Sequence, residues 1–141
     1  MTVAIATDGT RRHIAEVPGT LTFVEPPPGL PGLGTATLAP LDDTGYVFTL
    51  RGDGDAGPRL FLVSPGAYFP SYAPEVTDEV RDALGSARDG APVPLAVVHP
   101  GEQGATTVNL LAPILVDPAT GHAIQVVLDG DEWPLRAPIG G

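Results

Sequence analysis

The chain has 141 residues with 18 Gly, 17 Pro and no Cys, and its 17 Asp and Glu outweigh seven basic residues for a formal charge of −10. That length fits one domain with an ordinary buried core, and the absence of Cys excludes disulfides and thiolate metal sites. The charge repels phosphate backbones and anionic headgroups and favours a basic protein, so direct binding of nucleic acid or membrane is not expected.

No apolar run approaches the ~20 residues needed to span a bilayer. The opening Met1–Arg12 places its arginines after the apolar stretch, the reverse of a signal peptide, so the expected location is cytoplasmic. Gly and Pro sit between short runs rich in Val, Leu, Ile, Phe and Thr, as turns punctuate strands. In chain order these runs are Thr2–Thr7, Leu21–Glu25, Thr35–Leu41, Tyr46–Arg51, Leu60–Ser64, Leu95–His99, Thr106–Leu111, Pro113–Asp117 and Ala123–Asp129. Tyr46, Phe48 and Leu50 alternate onto one face, and so do Ile124, Val126 and Leu128. Leu60–Val63 and Leu95–Val98 are apolar throughout, which predicts burial on both sides.

One helix is predicted. Thr77 is its N-cap, Asp78 and Glu79 complement the dipole, Val76, Val80 and Leu84 share a face, and Gly85 ends it. Pro26–Gly32, Asp53–Gly57 and Gly85–Pro94 read as loops. Many short strands with little helix between them predict an all-β, mostly antiparallel, small β-barrel-like single domain over residues 1–141, with one short helix.

Catalytic constellations are not found. Ser64, Ser71 and Ser86 lie in no nucleophile elbow. His13, His99 and His122 have no metal-ligand spacing, and the acidic pairs near Asp53 and Asp129 lack the loop that calcium requires. Arg51-Gly52-Asp53 spells an adhesion tripeptide that three residues produce by chance, and Gly29–Gly34 is no phosphate loop. No enzyme activity, cofactor or metal is expected.

Two features remain. After Leu60–Val63, the segment Pro65–Tyr72 gathers Tyr68, Phe69 and Tyr72 on a Pro-held loop. Such aromatics can anchor a protein partner or fold back to close the barrel. The other is Thr106–Ile114, where a strand register sets Val108 and Leu110 opposite Thr107, Asn109 and Leu111. Asn is disfavoured in strands, so the amide of Asn109 is expected to bond neighbouring backbone.

At these residues the sequence resembles the FliW family of flagellar assembly factors. The match is carried by Gly29-Leu30-Pro31-Gly32-Leu33, by Leu60–Tyr72, and by Thr107-Val108-Asn109-Leu110-Leu111-Ala112-Pro113-Ile114. It continues in the tail through Gly121, Gln125–Leu128 and Trp133–Ile139. Trp133 stands where the family pattern has Tyr, and Pro26–Pro28 looks like an insertion. The resemblance implies a monomeric protein without cofactor that binds CsrA, an RNA-binding translational regulator, and relieves its repression of flagellin mRNA. It also implies that flagellin and CsrA compete for the same protein. Pro65, Tyr68, Phe69 and Tyr72 are then the expected apolar contacts, with Asn109 and Pro113 shaping the strand pair beside them. The alternative is a small-molecule or flavin-binding split barrel, which scattered Arg and absent Lys disfavour.

Overall fold

The computed structural model describes residues 2–6, 14–25, 34–41, 44–52, 59–69, 72, 77–85, 92–100, 106–128, 133–134 and 136–138. The predicted turns at 26–32 and 53–57, the Pro26–Pro28 run, His13, Pro70 and Ser71 lie outside the described residues. The strands are β1 (Thr2–Ala6), β2 (Ile14–Pro18), β3 (Thr20–Phe23), β4 (Thr35–Pro40), β5 (Val47–Gly52) and β6 (Arg59–Val63). They continue as β7 (Val93–Pro100), β8 (Thr106–Val108), β9 (Ile114–Val116), β10 (His122–Gln125) and β11 (Ala137–Pro138). Two helices, α1 (Pro65–Tyr68) and α2 (Asp78–Leu84), fall between β6 and β7.

Seven strands close a barrel in the order β3-β4-β5-β6-β7-β9-β10, with β10 returning to β3. Only the β10–β3 seam of this ring is parallel. Strand β7 also carries β8 and then β11 as an antiparallel extension, so the barrel has an outer flap along one strand. Separately, β1 and β2 form an antiparallel hairpin. Val3, Ile5 and Val17 of this hairpin join the barrel core beside Leu21, Phe48 and Leu62. Two hydrogen bonds fasten its end: the Ala6 N–H donates to the Gly45 carbonyl at 2.9 Å, and the Ser64 hydroxyl donates to the Ala6 carbonyl at 2.6 Å.

Burial follows the strand period of two. Phe48, Leu50, Leu62, Leu95, Val97, Ile114, Val116 and Ala123 point inward. Their neighbours Val47, Val63, Ala96 and Val98 point outward into a second cluster, and Leu115 and Ile124 into a third under α2. Leu95–Val98 is thus covered on the outside by other chain, as predicted, whereas Leu60–Val63 departs from the expectation because Phe61 faces outward and is 37% exposed. Helix α2 forms as expected: the Thr77 hydroxyl accepts from the Val80 N–H at 3.2 Å, and Gly85 takes φ +72°. Leu84 and Val80 seat it on Leu115, Ile124 and Val126.

Three expectations are corrected. There are two helical segments among the described residues rather than one. Pro65 at the first helical position sets φ for the single turn of α1, which reads as loop in a sequence this rich in Pro and Gly. Strand β2 is absent from the predicted runs because Ile14–Pro18 carries Glu16 and a terminal Pro, and its pairing with β1 supplies what its composition lacks. The strand expected over Thr106–Leu111 stops at Val108.

The β9–β10 turn depends on Gly121, at φ +81°. A Cβ there would lie 2.8 Å from the Thr20 carbonyl oxygen and 3.2 Å from the Pro18 ring. Gly121→Ala should thus cost more than the ~1–2 kcal/mol of a left-handed alanine, because backbone of the β2–β3 join must also move. We expect Tm to fall on the order of 5 °C or more in a thermal melt; an unchanged Tm would contradict the close approach.

Candidate functional site

The segment after β6 and the segment after β8 meet on the outside of the barrel. Strands β8 and β9 run antiparallel to the same strand β7, yet their registers differ. Val98 pairs with Val108 and Leu95 with Ile114, so six residue steps on one chain face three on the other. The surplus is a bulge over Asn109–Pro113 whose backbone leaves the ladder while its side chains stay buried or half-buried. Backbone polar groups in such a place must find other partners.

Each does so. The Asn109 N–H donates to the Val97 carbonyl at 2.9 Å, and the Leu110 N–H to the Pro134 carbonyl at 3.1 Å. The Leu110 carbonyl accepts the Tyr72 hydroxyl at 2.8 Å. Within the bulge, the Ala112 N–H donates to Asn109 Oδ1 at 2.9 Å, as the composition leads one to expect of a strand Asn. The Ala112 carbonyl accepts Gln125 Nε2 at 3.0 Å. Backbone N–H groups of Leu128 and Val126 donate to the carbonyls of Leu111 (2.8 Å) and Pro113 (3.0 Å). Pro113 brings no N–H to satisfy.

Sequence reasoning did not find Gln125 or Pro134 in these roles. The available signal was an Asn three residues before an N–H donor and just ahead of Ala-Pro, which is turn chemistry inside an apparent strand.

The aromatic segment is divided. Pro65 and Tyr72 are buried, and Phe69 packs partly into the second cluster with Val63, Ala96, Val108 and Leu110. The Tyr72 ring meets Trp133 edge-on, with centroids 4.7 Å apart. Burial pushes the Tyr72 phenol above its ordinary value of about 10. Tyr68, by contrast, is 38% exposed and stands edge-on to Tyr46 with centroids 6.2 Å apart. Of the four expected contacts, Tyr68 thus presents an exposed aromatic ring while Pro65, Phe69 and Tyr72 pack around the bulge that Asn109 and Pro113 shape. No group of three His, Asp or Glu placed to hold a metal occurs among the described residues. No helix among them is long and apolar enough to cross a membrane.

A model of the FliW protein family matches residues 8–139. The chain belongs to the FliW family. It is similar to the flagellar assembly factor FliW of Syntrophotalea carbinolica, 31% identical over 120 residues covering 85% of this chain and 86% of that one. It is also similar to the flagellar assembly factor FliW of an Exiguobacterium species, 30% identical over 123 residues covering 86% and 84%. A crystal structure of the flagellar assembly factor FliW superposes with a TM-score of 0.76 at 20% identity, covering 98% of this chain and 96% of that one, which establishes a shared fold. The FliW-like blocks 107–114 and 125–128 are the two sides of the bulge and its clasp, so their resemblance has a physical basis in backbone satisfaction.

Tyr72→Phe tests this arrangement. The native state holds the phenol neutral, so the stability it contributes is fully present below pH ~10 and is lost as pH rises beyond that. The variant should be less stable at neutral pH by about 1–3 kcal/mol, because the Leu110 carbonyl loses its donor in a buried place. It should also lose less stability than the parent between neutral pH and the alkaline range in denaturant titrations. Parallel pH profiles for parent and variant would contradict the reading.

Proposed function

We propose that this protein is a flagellar assembly factor that works as a partner switch. In this reading it captures CsrA and so lifts repression of flagellin mRNA, and it binds flagellin in a mutually exclusive complex. Membership of the FliW family across residues 8–139 is the observation that carries the proposal. We place the switch in the cytoplasm, where both partners are made.

The chemistry required is modest. Two partners that exclude each other on one protein set each other's occupancy by mass action, and the coupling is reciprocal. When flagellin is depleted, free switch protein accumulates and draws CsrA from its mRNA; when flagellin accumulates, CsrA is released. Two features of this chain support the reading. Its charge of −10 suits a partner that grips RNA with basic residues, and Asp78, Glu79 and Asp82 are exposed on α2. A rigid barrel presenting an exposed Tyr68 offers a preorganised contact at low entropic cost.

The test is a competition experiment with purified CsrA, flagellin and this protein. Labelled CsrA should bind, and flagellin should displace it without a ternary species. Association should slow by about tenfold or more from low to high salt, as steering is screened. Tyr68→Ser should weaken at least one complex while leaving Tm unchanged. A stable ternary complex, or an association rate indifferent to salt, would contradict the switch as stated.

A further inference from the structure

The β1–β2 hairpin is a two-stranded sheet of its own, and its two edges differ. On β1, the Ala6 N–H and carbonyl both bond away from β2, to the Gly45 carbonyl and the Ser64 hydroxyl. Ala6 therefore exchanges no ladder hydrogen bonds with its opposite residue, Ile14. Alternation along an antiparallel ladder assigns the rest. Ile5–Ala15 and Val3–Val17 are the bonded pairs, and Ala4–Glu16 and Thr2–Pro18 are not. Pro18, without an N–H, fits that assignment. The N–H and carbonyl groups of Ile14 and Glu16 thus point away from β1.

Among the described residues, no strand pairs with β2 on that side, and neither Ile14 nor Glu16 has a further hydrogen bond or ion pair. The place of this edge in the fold follows from β3. There the Thr22 and Val24 N–H groups donate to the Gly121 and Ala123 carbonyls, so the even-numbered residues face the lane of β10. The Gly19 carbonyl accepts from the Leu38 N–H in the opposite lane, that of β4. Pro18, Glu16 and Ile14 continue the even series. The Pro18 ring lies 3.2 Å from where a Cβ on Gly121 would stand, so it abuts the turn that leads into β10. Strand β10 begins just past that turn at His122, whereas β2 runs on for five residues. The free edge of β2 is therefore the continuation of the β10 lane beyond the β9–β10 turn.

We propose that this edge receives an extended segment of a partner protein, paired antiparallel with β2, with a basic residue opposite Glu16 and an apolar one opposite Ile14. Main chain supplies the attraction. The residues opposite Ile14 and Glu16 exchange N–H···O bonds with them and satisfy both N–H and both carbonyl groups. Side chains select the occupant. Val17 lies in the barrel core with Ala15 packed against it, so Ile14 and Glu16 share the outer face. Ile14 is 52% exposed and Glu16 is exposed. Across the hairpin Glu16 faces Ala4, which offers no charge. A cation directly opposite Glu16 on the incoming strand is favourable, and an apolar residue two positions on covers Ile14. A charge on an edge strand also guards against pairing with like chains. A second copy is the poorer occupant. A twofold axis at Glu16 would oppose two carboxylates, an axis at Ala15 would set each Glu16 against Ile14, and either brings together two chains of charge −10. The other terminal strand, β11, is two residues long and ends in Pro138, too short to offer the same ladder. This inference goes beyond the partner switch and rests on neither CsrA nor flagellin.

The experiment uses the full chain and the end-blocked peptide Thr-Lys-Thr-Val-Thr, whose Lys and Val stand in the order that antiparallel pairing requires. In the protein alone, the Ile14 and Glu16 amides should exchange fast with solvent and the Ala15 and Val17 amides slowly. With peptide added, the Ile14 and Glu16 amides should shift in heteronuclear NMR spectra and become protected. Glu in place of the peptide's Lys should weaken binding by about tenfold or more at low salt, and Glu16→Lys in the protein should reverse that preference. N-methylation of the peptide's Lys and Val removes the donors that face β2 and should abolish binding, whereas N-methylation of the central Thr, whose N–H points away, should leave it intact. Several results would overturn the proposal: slow exchange at Ile14 and Glu16 in the protein alone, protection mapping to other amides, equal binding of the two methylated peptides, or no binding of the Lys peptide at millimolar concentration. Sedimentation that shows a dimer abolished by Glu16→Pro would overturn it too, by assigning the edge to a second copy.

Discussion

Backbone that leaves a sheet while remaining inside a protein must find hydrogen-bond partners elsewhere, and the architecture of this chain is organised around one such place. The bulge at Asn109–Pro113 is six residue steps set against three. Its donors and acceptors are met by Val97 in β7, Tyr72 after α1, Gln125, Val126 and Leu128 from β10 onward, and Pro134 near the C-terminus. Each unmet group would cost about 1–3 kcal/mol, against a net stability for domains of this kind of only about 5–15 kcal/mol. The bulge therefore ties together segments far apart in sequence, and the second apolar cluster forms around it.

This arrangement decides which residues remain for binding. Tyr72 is buried in the second cluster, and Phe69 and Trp133 are half-buried against it. Tyr68, beyond the end of the β5–β6 ladder, is exposed, as are Phe61 and Leu41. A rigid ring of strands holding a few exposed aromatics suits the proposed switch between partners. The blocks 107–114 and 125–128 that carry the resemblance to the FliW family surround the bulge rather than an exposed surface.

Much of the fold is legible in the sequence because the strand period is clear. Leu95–Val98 announces burial on both faces, and the Thr77 to Gly85 helix carries its own start and stop signals. What is hidden is non-local. Strand β2 forms because β1 pairs with it, and the Ser64 hydroxyl reaches a carbonyl 58 residues away. Asn109 can be identified as a residue whose amide serves the backbone, but not as the start of a bulge, since alternation of Val108 and Leu110 looks the same in both cases. For the same reason Tyr68 and Tyr72 look equivalent in the sequence, whereas a hydroxyl on Leu110 and a ring against Trp133 separate them.

Hydrogen exchange at the Ala112 amide tests the central claim most directly, because its acceptor is the Asn109 side chain rather than a neighbouring strand. If the bulge is held by this set of bonds, Ala112 should exchange only on global unfolding, as slowly as the paired amides of the β4–β5 ladder, and Val126 and Leu128 should behave alike. Exchange of Ala112 orders of magnitude faster than that ladder, in a protein otherwise fully folded, would contradict the account.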